Sequence, residues 1–503
     1  MVVKITRPRL VPTRANATPD DPLDELKQRM EEAVERFRGV PVTPQTFLDL
    51  ENELAAMADD ACCHVLEREA NRSEPDDKRG LPGKVRYHKE SYRINKKTPA
   101  SIATRFGTIA LRSFYYLNEE DGEPGLHPLW VRLGIGAGMA TPALLERVAR
   151  MSVDHTQAEV RAWLWREHGL RWSNDRLRAA LRGFRQALLP FVAHLQQARL
   201  LTYLHQAEQS CGRHRPVLAA GRDGIMIPMR SGGYEEASTA TVSVYDRQRR
   251  RLGTIYLGQM PQAKQATLSE LLTKLLCATL KAWHGPAPRL AYITDKGSAP
   301  DEYYQRVLKK MRHPRDGKPL AWEWVLDFYH VCSYVGKMAD ALFGVQTKAG
   351  AQWFAKMRCW LRDRPQGAAQ VVRSATQHLD RRKMTKAQTA EFWKAYGYLR
   401  RHRRWMDYAG YRRRGLPIGS GVTEAACKTV FTQRFKRSGM RWQHESGQVI
   451  LDLRTIHLSG IWEEAFAADL AARELPEPRS VVGRTAKQGS HQSATRVPPR
   501  LAA

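Results

Sequence analysis

The chain has little of what marks several protein classes. Cysteine is sparse and irregular: Cys62, Cys63, Cys211, Cys277, Cys332, Cys359 and Cys427 make seven, an odd number with no CxxC pair. That argues against a disulfide framework and for a reducing compartment. Cys62, Cys63 and His64 lie too close in sequence to form a four-ligand zinc site unaided. No uncharged apolar run approaches the ~18 residues that a membrane helix needs. The first residues, MVVKITRPRLVP, lack the apolar segment of a secretory signal. There is no internal repeat with a period of about 20–50 residues. Acidic residues are in deficit, 52 Asp and Glu against 81 Lys and Arg, for a net charge of +29. Basic residues are dense well inside the chain, so the excess favours a polyanionic partner, with nucleic acid first among the candidates. The expected setting is cytoplasmic and nucleoid-associated, with no membrane contact.

What is present suits a globular protein of several parts. The chain has 503 residues, 42% apolar and 26% charged, enough for about three domains and a core that needs no staples. Residues 1–22 and 474–503 are basic and rich in Pro, Arg, Ser and Thr, and read as a disordered arm and tail. Residues 23–75 read as helical within an N-terminal region, 23–100, whose last part is basic and turn-rich. In 101–200 a short strand pair is expected around Ser101–Tyr116, followed by three helices. The first helix is PALLERVARMSV and the second is Gln157–His168. Gly169 stops the second, and Ser173 caps a third that runs to about Leu188. That layout resembles a helix-turn-helix. Arg178, Arg182 and Arg185 share one face of the last helix and are candidate DNA contacts, although a solvated basic face explains them equally well.

From 215 to 335 the pattern turns to strands: three, then an amphipathic helix, a fourth strand RLAYITDKG, and a fifth in AWEWVLDFYHV. This order is compatible with an RNase H-like core. Residues 336–414 read as an all-α insertion. Residues 415–470 return to the core after GLPIGSG, with helices at Val422–Lys436 and Ser446–Phe466. The expected fold class is α+β multidomain: an RNase H-like mixed α/β core with a helical insertion, preceded by a mainly helical DNA-binding region.

Three acids fall at informative places. Asp223 lies in the first strand of this region, Asp295 ends the fourth, and Glu424 opens a helix just after GSG. Functional groups of open sheets gather at the carboxyl ends of strands. Carboxylates converging there offer hard oxygen ligands to Mg²⁺, with Mn²⁺ as a substitute, and two such ions suit displacement at phosphorus. Each acid also has a structural reading: Asp223–Gly224 as a hairpin turn, Asp295 as a strand-ending turn, and Glu424 as a helix-start acid paired with Lys428.

The segments GRDGIMIPMR, ITDKG, LDFYHV and GLPIGSGVTEAACKTVFTQRFKRSGMRW resemble the motif series of the ISKra-type insertion-sequence transposases, and the resemblance spans roughly residues 100–460. The last motif is the most specific. The family is an Asp-Asp-Glu one with an RNase H-like catalytic domain. The resemblance implies Asp223, Asp295 and Glu424 as the catalytic and metal-holding acids. It includes Asp327 and His330 as possible accessories without assigning them roles; Asp327 is the rival third acid. Lys428, Arg434, Lys436, Arg437 and Arg441 around the glutamate helix are candidate phosphate contacts. Trp442 reads as core packing before base stacking.

The implied activity is cleavage at insertion-sequence ends and joining of the freed 3′-hydroxyls to target DNA. The partners would be double-stranded DNA, namely terminal inverted repeats and target, and a homodimer or higher oligomer in the DNA complex. The alternative is a non-enzymatic helix-turn-helix DNA-binding protein or an inactive transposase relic. A second enzyme alternative is a structure-specific nuclease, which cuts but does not join.

Overall fold

A computed structural model describes residues 22–120, 122–379 and 384–478. The arm expected at 1–22, except Pro22, and the tail beyond 478 lie outside the described residues. The chain divides into two compact units. The smaller comprises 67–100, 110–133 and the chain from 474 on; the larger comprises the chain up to 66, 101–109 and 134–473.

The expected helical N-terminus is two helices, Pro22–Arg38 and Pro44–Arg72. The expected short strand pair is longer than the sequence suggested. There are three strands, β1 (Lys84–Tyr87), β2 (Glu90–Thr104) and β3 (Gly107–Asn118), and the first two begin inside the stretch read as turn-rich. The two residues joining β1 and β2, His88 and Lys89, both sit at positive φ (47° and 71°), the geometry of a two-residue hairpin turn. Neither residue is a glycine, so the turn carries no sequence signal. In the smaller unit Val85, Tyr92, Phe114 and Tyr116 form a core of their own. Glu477–Pro478, inside the stretch expected to be loose tail, instead pair with β1 as the last strand, β9.

In the larger unit the helices fall at Pro142–Asp154, Gln157–His168 and Asn174–Gln209. Gly169 ends the second in the left-handed conformation, and Ser173 caps the third by accepting from the Arg176 N–H. The third helix does not stop near Leu188. It runs through Pro190, because Leu200, Leu204 and Ala207 beyond it are buried in the core of the large sheet, and that burial outweighs one lost backbone donor.

The large sheet has five strands: β4 (Val217–Pro228), β5 (Tyr234–Tyr245), β6 (Arg251–Gln259), β7 (Arg289–Thr294) and β8 (Trp322–Leu326). Their spatial order is β6-β5-β4-β7-β8. The first three form an antiparallel meander, and β7 and β8 join it parallel to β4. Helices Ala266–Ala282 and Ser298–Arg306 lie in the crossovers that the parallel strands require. The fifth strand is shorter than expected. It ends at Leu326, and Asp327 caps the helix Phe328–Phe343.

The insertion is helical as expected, with Lys348–Asp363, Gly367–Leu379, Lys386–His402 and Tyr408–Arg413 after the Asp327-capped helix. Among the described residues it shares its core with the sheet: one cluster contains sheet residues such as Val217 and Ile293 together with Trp353, Val371, Phe392 and Leu399. Tyr408 and Tyr411 donate to the carbonyl oxygens of Leu326 and Trp324, covering the outer edge of β8. The last helical stretch is two helices, His444–Leu458 and Trp462–Ala472, broken where Gly460 takes a φ of +67°. A second cluster joins Leu144, Leu164, Leu177 and Phe184 of the helix-turn-helix-like segment to Phe431, Phe435, Leu451 and Trp462. The segment is therefore packed into the larger unit rather than standing apart.

Candidate active site

Strand register brings the acids together. Gly221 of β4 is paired with Ile293 of β7, so Asp223 and Asp295, each two residues on, lie level. Thr294 of β7 is paired with Leu326 of β8, so Asp327 lies level with Asp295. Three neighbouring strands, spaced about 4.8 Å apart, thus carry a row of aspartates: Asp295 and Asp327 directly follow β7 and β8, and Asp223 lies midway along the longer β4. Glu424 reaches the row from the helix Gly421–Ala426. An oxygen from each of Asp295, Asp327 and Glu424 lies within 4.8 Å of the other two. Asp223 is outside that closest trio, but its charge and that of Asp295 both act on Glu424.

Each acid is held differently. Asp223 accepts from the Gly224 N–H (2.8 Å) through Oδ1 and from the Cys427 thiol (3.1 Å) through Oδ2. Burial pushes its carboxyl above the ordinary range, and Asp295 and Glu236 add to this. Burial also pushes the Cys427 thiol up, reinforced by Asp223, so Cys427 keeps its proton and acts as donor. One oxygen of Asp295 (Oδ2) lies 3.0 Å from His330 Nδ1. The bond to Asp295 raises the His330 pKa against the opposing effect of burial. The other oxygen of Asp295, Oδ1, is buried with no hydrogen-bond partner among the described residues. Asp327 is 1% exposed. Its two oxygens accept from the backbone N–H groups of His330 and Ser420. It thereby ties the GSG loop to the start of the Phe328–Phe343 helix. Glu424 is exposed, and its carboxyl is raised by partial burial and by the charges of Asp327, Asp295 and Asp223.

The glutamate helix docks where β4 has no side chain. A Cβ on Gly221 would stand 2.1 Å from Thr423 Oγ1. Thr423 is buried there, 2.9 Å from Thr241 Oγ1. The turn after Glu424 widens into a π-helical stretch, Cys427–Thr432, a distortion frequent at functional sites. It begins at Cys427, whose thiol donates to Asp223.

Sequence reasoning put Asp327 in second rank. An Asp directly after an apolar strand and before a helix is an N-cap signal, and here the cap also belongs to the row. The roles of Gly221, Thr423 and Cys427 were not legible, because each depends on contacts across the fold. Arg222, directly before Asp223, is 2% exposed. It donates to Ser269 Oγ and Gln265 Oε1 (both 2.9 Å), with its guanidinium over the Tyr303 ring.

The expected DNA contacts divide by location. Lys428, Lys436 and Arg441 are exposed. Arg437 is half-buried and paired with Glu159 at 2.9 Å. Arg434 is 2% exposed. Its Nε donates to the Ser152 carbonyl oxygen, its guanidinium lies over Trp442, and burial lowers its pKa to about 10; no phosphate reaches a group so placed. Trp442 packs on Phe435 and donates to its carbonyl oxygen. Arg178 pairs with Asp175 at 3.0 Å and Arg182 with Glu445 at 3.5 Å. Arg185 is turned inward onto Asp452 at 2.6 Å.

No protein-family model matches the chain, and no curated protein matches it.

Proposed function

We propose that the chain is a DNA transposase of the Asp-Asp-Glu type, its five-stranded sheet being an RNase H-like core. The observation that carries this reading is the row of Asp223, Asp295 and Asp327 across three neighbouring strands, with Glu424 brought over it. Three carboxylates this close, with Asp223 beside them, repel one another unless a cation or protons offset them. The orphaned, buried Oδ1 of Asp295 and the all-oxygen donor set fit Mg²⁺ or Mn²⁺. Asp295 and Glu424, with Asp223 and Asp327 beside them, would hold the ions. Bound there, divalent cations would polarise a phosphodiester and make an attacking hydroxyl more nucleophilic.

The chain's own groups prepare that site. His330 fixes one oxygen of Asp295 and leaves the other facing inward. Cys427 and Gly224 fix the rotation of Asp223. The reaction has two in-line displacements at phosphorus. Water first cuts at the element's end and frees a 3′-hydroxyl. That hydroxyl then attacks a target phosphodiester, and the displaced oxygen leaves with its proton. The charge of +29 supplies affinity for duplex DNA, and joining two ends calls for two or more copies of the chain.

The test is nicking of supercoiled plasmid by the purified protein with Mg²⁺ or Mn²⁺, beside Asp295→Asn and Glu424→Gln. Nicking by the wild type, lost in both variants while DNA binding persists, is expected. Equal nicking by the variants, or tight binding without cleavage even of paired element ends, returns the chain to the non-enzymatic DNA-binding reading.

A further inference from the structure

The helix Lys386–His402 and the turn after it present a surface that the carboxylate site does not use. Between Lys386 and Trp405 there is one carboxylate, Glu391, against Lys386, Lys394, Arg400, Arg401, Arg403 and Arg404. The four arginines are exposed. Arg401 donates to the Gly397 carbonyl oxygen and Arg404 lies on the Trp405 ring at 3.8 Å; none of the four meets a carboxylate among the described residues. Arginines favour a helix C-terminus, but four in one turn repel one another, which exceeds what the dipole calls for.

Aromatic rings share this surface. Trp393, Tyr396 and Arg400 stand at i, i+3 and i+7, on one helical face. Trp393 is 47% exposed, with its ring edge-on to Tyr396 at 5.1 Å. An exposed Trp on an otherwise well-packed helix leaves a large apolar face in water. Gly397, one turn on from Trp393, keeps the face flat beside the rings.

The opposite, buried side of this helix borders the acids. Trp405, under Arg404, covers the Lys296 ammonium at 4.5 Å and packs on Trp324. Lys296 directly follows Asp295. Tyr398 on the same helix touches the His330 ring, and His330 holds Asp295.

We infer that Lys386–Trp405 is a track for a single DNA strand, with Trp393 and Tyr396 as base-stacking platforms and Arg400, Arg403 and Arg404 as phosphate contacts. From Trp393 to Arg404 is about 16 Å at helical rise, enough for a few nucleotides. Aromatic faces interleaved with cations are the chemistry of single-strand binding. Every base has a face to stack, whereas a duplex hides its bases. The inference rests on the reading that this chain acts on DNA.

The test uses the full chain in EDTA, with no cleavage possible. Fluorescence anisotropy would compare a labelled 20-nucleotide oligo(dT) with a 20-base-pair duplex. Trp393→Ala is expected to weaken oligo(dT) binding by roughly tenfold and to leave duplex binding unchanged, and Trp393→Phe to restore most of the loss. Arg400→Ala with Arg404→Ala should lower the salt dependence of oligo(dT) binding by about 1.4 in log–log slope, at roughly 0.7 per phosphate. Wild-type affinity for oligo(dT) in Trp393→Ala, an equal loss on duplex, or an unchanged slope in the arginine pair would overturn the track. Plasmid nicking separates this outcome from the catalytic reading: nicking that survives with no track effect sinks the track alone, and a track effect without nicking sinks the catalysis alone.

Discussion

Asp223 illustrates how a site acid weakens the fold that carries it. Its folded carboxyl is raised by burial and by Asp295 and Glu236. A group raised on folding favours the protonated native state. Its stabilising contribution is present below the ordinary carboxylate range and is lost as pH rises through the raised value. Asp223→Asn removes that loss while keeping an oxygen for one of the two donors. Without divalent ions, the variant should melt above wild type at pH 7, by on the order of 1 °C for a chain this long, and the gap should close on acidification below the ordinary carboxylate range. Thermal melts at pH 3.5, 5 and 7 check this; a gap that is constant or reversed refutes it. The basic residues diverge in the same way. Arg185→Ala, by leaving the half-buried Asp452 carboxylate with Gln448 as its side-chain donor and no cation, should cost about 1–3 kcal/mol of stability. Arg178→Ala with Arg182→Ala should leave stability near wild type and flatten the salt dependence of duplex binding by about 1.8, at roughly 0.9 per phosphate. Denaturant titration and binding at several salt concentrations separate the two behaviours.

Among the elements, the short helix Gly421–Ala426 decides whether the site assembles. It contributes Glu424 and rests on β4 through Thr423, over the missing side chain of Gly221. Gly221→Ala places a methyl 2.1 Å from Thr423 Oγ1 and 3.1 Å from both the Ile293 carbonyl oxygen and Thr241 Oγ1. Overpacking of this kind costs about 1–3 kcal/mol and moves Glu424 off the aspartate row. Nicking should therefore fall at least tenfold in Gly221→Ala and recover in part when Thr423→Ala removes the nearest atom. A double variant no better than the single one excludes this docking as the cause. Much at this scale was legible in the sequence: the bounds of Gln157–His168, the Ser173 cap and the strand–helix order of 215–335 follow from caps and periodicity. The misses have two origins. The helix from Asn174 continued through Pro190 because tertiary burial overrode the local breaker, whereas the stop of the fifth strand before Asp327 and the break at Gly460 are local cap and glycine signals.

Across the whole molecule, the segments read as separate domains share cores. The insertion and the large sheet bury one cluster, and the helix-turn-helix-like segment and the glutamate-helix region bury another. The sequence alone determined the α+β composition, the basic balance of +29 and the acids within or after strands and at a helix start, because composition, periodicity and capping act over a few residues. Only the tertiary structure decided that Asp327 joins Asp223 and Asp295 in one row, that Arg434 is buried, and that Arg185 faces Asp452. Register and burial arise from pairing between segments far apart in the chain, and no local pattern encodes which partner arrives.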